Sequence, residues 1–413
     1  MRDDGLLVVV ATGPRLYREY LLRSLSEHRR VHLVTDRAPD WECRYVDDAT
    51  VLPLDGPDAV TTALRGLVAR HVVRGVLTWS EARVVATAAA ADALQLPGPG
   101  LRAAVNCRDK ARTRAALAAR GVPQPASVPV TGPAQARAAA QRLGYPVVVK
   151  PRGGAASDGV AVVRDADELE VHLPASDGVT APDLPATDAT VLVEEFVRGP
   201  EISVDAVVRS GRVHPVYLAH KEIGYAPHFE ETGHVVQGRD PLLSDPVLRS
   251  VLDEAHAALG FRDGWTHTEL RLSDTGPRVI EVNARLGGDL IPHLGERASG
   301  IAAGPLAAAA ACGEDLELPV VPGGATDRWA AVRFAYPPGS DALLESVEVD
   351  EGAVPAGVDL VMPLVPAGVR MSPPSGAVMD GRVALAIGVA DSRTACLDAV
   401  DGGLAAVRCR WGA

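Results

Sequence analysis

At about 100 to 200 residues per domain, the 413 residues of this chain leave room for about three domains. With 47 % hydrophobic and 23 % charged residues it can bury several cores, which excludes a disordered or fibrous protein. Its 53 acidic residues against 41 basic ones give a net charge of −12, which argues against a nucleic-acid partner because phosphate contacts need clustered Lys and Arg.

The opening alternates short apolar runs with helical ones. Leu6 to Val10, Val31 to Thr35 and Gly75 to Thr78 read as strands, and Tyr17 to Glu27 and Val60 to Ala69 as helices. This order predicts a parallel sheet covered on both faces, an α/β domain ending near Pro97. Acidic residues precede the first strand where a signal peptide needs basic ones. Gly98 to Ala103 nominally matches a dinucleotide fingerprint but follows a Pro-containing loop rather than a strand, so it reads as a turn. A plain dinucleotide-binding oxidoreductase therefore lacks its glycine signature.

Asp109 to Gly121 and Pro133 to Gly144 are helical, the second with Pro at its start and Gly past its end. Val147 to Val149 then form a buried strand that delivers Lys150 into a glycine-rich loop, Gly153 to Gly159. Such a loop can wrap phosphates with backbone N–H groups while the lysine meets their charge; the competing reading is a strand-ending lysine before a surface turn. It is not a Walker A loop, since no Gly-Lys-Ser/Thr closes it. His172 to Thr190 reads as a loop and Thr190 to Val197 as a returning strand, so about 123–193 forms a small inserted α/β subdomain. Along Val193 to Val204, an extended segment can read a base with its backbone while Glu201 accepts from ribose hydroxyls; a solvated acidic strand end is the alternative.

Ser244 to Gly260 is a helix with Ser244 or Asp245 as N-cap, Pro246 in the first turn and Gly260 as the stop. Thr266 to Leu272 and Arg278 to Ala284 form a hairpin. Side chains alternate along strands, so His267, Glu269 and Arg271 share one face, as do Glu281, Asn283 and Arg285. Two carboxylates and an amide thus converge, a set of hard oxygens suited to Mg²⁺ beside substrate phosphates. Exposed charges on an ordinary hairpin would alternate in the same way, but Val279, Ile280 and Val282 embed these groups in apolar sequence. Ile301 to Cys312 is apolar but broken by Gly304 and Pro305 and too short for a bilayer. Pro319 to Gly324 reads as a linker, after which strands near Trp329 to Ala335 and Val383 to Val389 and a helix from Arg393 to about Val407 predict a third, smaller α/β domain. The five cysteines are scattered and form no CxxC pair, which fits a reducing cytoplasm without disulfides or a zinc knuckle.

Taken together, Asp109-Lys110, Val-Val-Val-Lys150-Pro with Ser157-Asp-Gly-Val160, the Glu194 to Glu201 segment, Glu269, and Glu281-Val-Asn283-Ala-Arg285-Leu-Gly-Gly288-Asp resemble the ATP-grasp superfamily over roughly residues 75 to 320. The resemblance implies an α/β ATP-grasp fold: a Rossmann-like domain at 1–97, an ATP-grasp domain with a large mixed sheet at 98–320 carrying the lid, and a small α/β domain at 325–413. It implies that Lys110 and Lys150 contact ATP phosphates, that Ser157, Gly159 and Val160 belong to the loop closing over them, that Glu194 and Val197 meet adenine and that Glu201 binds ribose. Glu269, Glu281 and Asn283 would ligate Mg²⁺, with Mn²⁺ an alternative, and Lys150 and Arg285 would act in catalysis, Arg285 stabilising an acyl phosphate. Asp158 departs from the basic or small residues common in that loop.

His220 to His234 and the C-terminal segment are similar to the L-amino-acid (dipeptide) ligase branch, in which His234, Arg285, Gly287 and Gly288 would border an amino-acid pocket. The implied activity is ATP-dependent joining of a small carboxylate to an amine through an acyl phosphate. Purine-synthesis or biotin-carboxylase chemistry and a non-catalytic ATP-binding module are the alternatives. Zinc on His220, His228 and His234 lacks typical spacing and a fourth ligand. A soluble cytoplasmic protein is expected, with small-molecule substrates, no nucleic-acid or membrane partner, and a homodimer as the oligomer common in the superfamily.

Overall fold

The computed structural model of the chain describes residues 5–56, 58–179, 190–316, 327–374 and 381–412. The first segment alternates β1 (Leu6–Val10), α1 (Arg15–His28), β2 (Arg30–Thr35), β3 (Asp48–Val51), α2 (Ala59–Val68), β4 (Val73–Leu77) and α3 (Val84–Ala93). The strands are parallel in the order β3-β2-β1-β4. All five residues of β1 are buried, as a strand covered on both faces requires. The edge strand β3 carries too little apolar sequence to announce itself.

Gly98 to Ala103 holds a turn at Gly100, but α4 (Leu101–Arg108) begins directly after it. The next helix, α5 (Lys110–Ala118), is capped by Asp109, whose side chain accepts from the backbone N–H of Ala111 and Arg112. Arg152 also pairs with Asp109, and the Lys110 N–H donates to the Arg152 carbonyl at 3.0 Å. The start of α5 is thereby tied to the end of the lysine-bearing strand.

The expected inserted subdomain comprises β5 (Ser127–Val130), α6 (Pro133–Leu143), β6 (Val147–Pro151), β7 (Ala161–Val163), α7 (Ala166–Gly178) and β8 (Val191–Glu195), with an antiparallel sheet ordered β5-β8-β6-β7. Its helices pack on Val147, Val149 and Val193. The expected loop from His172 is corrected: residues up to Gly178 are helical, started by the Asp165 cap and held by buried Leu169, Leu173 and Ser176. Pro174 and Asp177 read as breakers only while the i, i+4, i+7 stripe of Leu169, Leu173 and Ser176 is overlooked. The rest of that expected loop, 180–189, lies outside the described residues.

The central segment contributes β9 (Glu201–Arg209), β10 (Arg212–Gly224), β11 (Glu230–Gln237), α8 (Pro246–Leu259), β12 (Gly264–Ser273), β13 (Gly276–Asn283), α9 (Ile291–Ser299) and α10 (Ala303–Ala311). The cap of α8 is Asp245, which accepts from the Leu248 N–H, and Gly260 ends the helix in the left-handed region. After it come β14 (Trp329–Ala335), β15 (Ala342–Val349), β16 (Val358–Pro363), β17 (Arg370–Met371), β18 (Ala384–Ala390), α11 (Arg393–Ala405) and β19 (Val407–Gly412). One eight-stranded sheet runs β13-β12-β9-β10-β11-β14-β18-β16. The C-terminal segment shares this sheet through β14, which pairs with β11 from Gln237 to Gly233, while β15, β17 and β19 form a separate small sheet. The expected linker at Pro319 to Gly324 lies outside the described residues. Among those residues no helix is long and apolar enough to cross a membrane.

Candidate active site

The hairpin β12–β13 has the register needed to bring the carboxylates together: His267 lies opposite Asn283 and Glu269 opposite Glu281. A bulge follows Glu269. Both glutamates face a cleft with about 120 Å³ of free volume, also lined by Lys110, Lys150, Ser157, Val160, Glu194, Val197, Glu201, Asn283 and Arg285. Arg285 lies just beyond β13, not within it.

Four of the expected site residues lie elsewhere. Gly159, with φ of +69°, packs against α7, where an added Cβ would come 3.1 Å from the Ala175 carbonyl; it shapes the loop rather than lining the cleft. His234 is fully buried, its Nε2 lying 3.2 Å from Glu231 and 3.4 Å from Asp289. Burial alone pulls this imidazole down, but the hydrogen bonds to Asp289 and Glu231 outweigh it and raise its pKa. At Gly287 the backbone packs so tightly that a Cβ would sit 2.8 Å from Asp205 and 2.9 Å from His267, whereas Gly288 borders open space.

Lys150 is not a free ammonium. Its Nζ lies 2.7 Å from Glu194, whose carboxylate also receives Arg114 at 2.7 and 3.0 Å. The Glu194 side chain, expected at adenine, is thus a buried counter-charge that fixes Lys150 at the cleft wall. Burial pushes the Glu194 pKa up, but Arg114 and Lys150 prevail and lower it to about 2. Removing the carboxylate strands two buried cations, so Glu194→Ala is expected to cost about 3–5 kcal/mol, read as a lower denaturant midpoint at pH 7. A group whose folded pKa is depressed stabilises above its unfolded pKa and loses that contribution as pH falls through the folded one. The wild type should therefore weaken from about pH 5 towards pH 2, while Glu194→Ala loses less over that range. A midpoint shift below about 1 kcal/mol would contradict the assigned network.

Lys110 Nζ stands 3.4 Å from Glu281 and 3.4 Å from the Gly154 carbonyl, between the hairpin and the glycine loop. Glu201 is held by Lys221 at 2.9 Å and Arg271 at 2.8 Å. Lys221 also meets Glu231 at 2.6 Å and Glu269 at 3.0 Å, so one buried ammonium joins three carboxylates. Burial opposes that charge, but the three glutamates raise the pKa well above the ordinary value. Phe196 and Phe229 stack, and Arg271 lies 5.5 and 5.4 Å from their ring centres. Arg285 donates through Nε to Glu81 at 2.5 Å and through Nη1 to the Leu286 carbonyl at 2.8 Å, leaving Nη2 without a partner among the described residues.

The donor set fits a hard divalent cation. Glu269 and Glu281 are cross-strand neighbours, Asn283 adds an amide oxygen on the same face, and the cleft is richer in carboxylates than in cations. A polyphosphate would be repelled there without a metal between it and the glutamates.

Residues to which sequence reasoning assigned no role in the site are Arg114, Lys221, Arg271, Glu231, Glu81 and Asp205. Arg114 follows Lys110 by one helical turn, a spacing that could have pointed to it. Asp205 accepts from Trp265 Nε1 at 2.7 Å, His267 Nδ1 at 2.9 Å and the Gly287 N–H at 2.8 Å. No local spacing reveals such a hub.

Comparison with known proteins gives a consistent picture. Residues 143–293 match the model of the ATP-grasp domain, and residues 29–98 that of the ATP-grasp N-terminal domain. Alanine–anticapsin ligase of Bacillus subtilis is 29 % identical over 245 residues, covering 54 % of this chain and 50 % of that protein. D-alanine–D-alanine ligase of Gloeobacter violaceus is 30 % identical over 294 residues, covering 63 % of this chain and 86 % of that protein. The crystal structure of an L-amino acid ligase from Bacillus licheniformis covers 100 % of both chains with a TM-score of 0.79 at 24 % identity, a likeness of fold. The chain spans between 40 % and 67 % of the first curated relatives it matches.

Proposed function

The chain belongs to the ATP-grasp family, and from that premise we propose that it is an ATP-dependent ligase that joins amino acids, or an amino acid to a small carboxylic acid, in an amide bond. The observation that carries this reading is the convergence of Lys110, Lys150, Glu269, Glu281, Asn283 and Arg285 on one cleft.

A free carboxylate is a poor electrophile because its leaving group would be oxide. In the proposed reaction a carboxylate oxygen attacks the γ-phosphorus of ATP, the bond to ADP breaks, and an acyl phosphate forms. The amine attacks the acyl carbon, loses a proton and expels phosphate. Catalysis is positioning plus charge neutralisation. Lys110 and Lys150 face the phosphates, and Arg285, with one nitrogen unclaimed, meets charge developing on the acyl phosphate. Glu269, Glu281 and Asn283 would hold Mg²⁺ or Mn²⁺. Bound there, the cation neutralises the phosphate oxygens. Gly153 to Asp158 line the cleft, and closing over it they would limit water access to the reactive acyl group. The proposed organisation is a Rossmann-like unit at 1–97, the ATP-grasp unit at 98–320 with its lid at 123–193, and the C-terminal unit at 325–413. Work in the cytoplasm, and a homodimer, belong to the same proposal.

The test is phosphate release from ATP and Mg²⁺ with all twenty amino acids, singly and in pairs, with mass detection. Release that needs an amino acid, with a dipeptide mass, is the expected result. Release with bicarbonate alone would favour carboxylation chemistry, and ATP binding without release on any acid would favour a non-catalytic module.

A further inference from the structure

The arginines around Gly287 are paired with carboxylates, with one exception. Arg285 meets Glu81 at 2.5 Å, and Arg382 meets Asp289 at 2.8 Å and Glu230 at 3.2 Å. Arg18, in the first turn of α1, donates through Nη1 to the Gly287 carbonyl at 3.3 Å. Among the described residues no carboxylate lies within ion-pair distance of it. It is nevertheless only partly exposed, and burial lowers its pKa, an effect to which the like charge of Arg285 adds and which Tyr20, Asp289 and Asp205 offset only in part. A cation sunk in the protein with carboxylates only beyond ion-pair distance is costly unless something else pairs with it directly.

The surroundings show where that something would sit. Gly287 is pinned by Asp205, so the carbonyl under Arg18 is fixed. The next residue, Gly288, faces open space: a Cβ built there would meet nothing within 4 Å. Asp289 and Leu290 follow with φ of +44° and +65°, a strained pair of the kind found at ligand-binding turns. Arg285, two residues before Gly287, borders the nucleotide cleft beside Glu269 and Glu281. A carboxylate undergoing phosphorylation belongs on that side. Arg18 stands over Gly287, further along the chain from the metal-ligand residues.

We propose that Arg18 binds the spectator carboxylate of the amine substrate, so that the amine is itself an amino acid or peptide and the product leaves with a free carboxylate. This rests on the ligase reading above. A guanidinium presents two parallel N–H groups to a carboxylate, which an amide of the same shape cannot match in charge. Arg18 is then a specificity residue of the N-terminal segment for a reaction whose phosphate site lies in the ATP-grasp segment.

The experiment fixes the acid donor at saturation and offers each acceptor either as the amino acid or as its C-terminal amide, with ATP and Mg²⁺. The wild type is expected to show KM lower for the acid by about 10- to 100-fold, the worth of one charge-assisted pair. Arg18→Ala should narrow that ratio to about threefold or less through the KM of the acid, with Arg18→Lys in between. Equal use of acid and amide by the wild type, or an unchanged ratio in Arg18→Ala, would overturn the proposal, as would a fall in kcat alone. If no acceptor supports phosphate release, the ligase reading fails first. Thermal stabilisation by the amino acids and their amides then tests Arg18 separately: a shift with the acids alone, lost in Arg18→Ala, supports it, and no difference between acid and amide overturns it.

Discussion

Glu281→Ala is expected to lower Mg²⁺-dependent turnover by about three orders of magnitude or more while leaving the denaturant midpoint nearly unchanged. The size of the effect follows from position. Glu281 sits directly across the hairpin from Glu269, and its carboxylate is countered by Lys110 at 3.4 Å, which also reaches the glycine loop. Removing it takes away a proposed metal ligand and at the same time unbalances the lysine proposed to meet phosphate. The fold should survive because the side chain is partly exposed and a bulge already relaxes the strand pair there. Asn283→Ala should resemble it in rate but cost more stability, since Asn283 is buried. Turnover within tenfold of wild type in Glu281→Ala, still dependent on Mg²⁺, would sink the metal assignment.

Arg285→Ala is expected to lower kcat by about 10²- to 10³-fold while the KM for ATP moves by less than about threefold. Arg285 is anchored at Nε by Glu81 and at Nη1 by Leu286, which aims the remaining nitrogen without tying it down. An arginine held in this way costs no reorganisation when negative charge grows beside it, so its worth lies in the transition state. Glu81 comes from the N-terminal segment, and Glu81→Gln should reproduce part of the loss by loosening that aim. A matched fall in kcat and in ATP affinity for Arg285→Ala would mean that the residue only positions nucleotide.

The hairpin was legible because strand alternation is a local rule: Glu269 and Glu281 face each other for the reason that His267 and Glu269 share a face. The α8 boundaries followed from Asp245, Pro246 and Gly260 in the same local way. What escaped is non-local. Arg114 and Glu194 are 80 residues apart, and nothing near either announces that they meet in the interior. Nothing in the neighbours of Lys150 shows that its fixed partner, Glu194, comes from β8. Lys221 joins three glutamates because β12, β9, β10 and β11 lie side by side in the large sheet, Glu269 on β12, Glu201 on β9 and Glu231 on β11. Similarly, nothing near β14 announces that it pairs with β11. Periodicity assigns a side chain to a face; it does not say which face of which strand lies opposite.

The central claim is that a carboxylate is activated by phosphorylation in the cleft between the glycine loop and the hairpin. Its most direct test follows oxygen. The acid identified in the amino-acid panel is supplied with both carboxylate oxygens as ¹⁸O, and the phosphate released in the presence of the amine is weighed. An acyl-phosphate route predicts one labelled oxygen in each phosphate and the other retained in the amide. Unlabelled phosphate, formed while the amide accumulates, would contradict it.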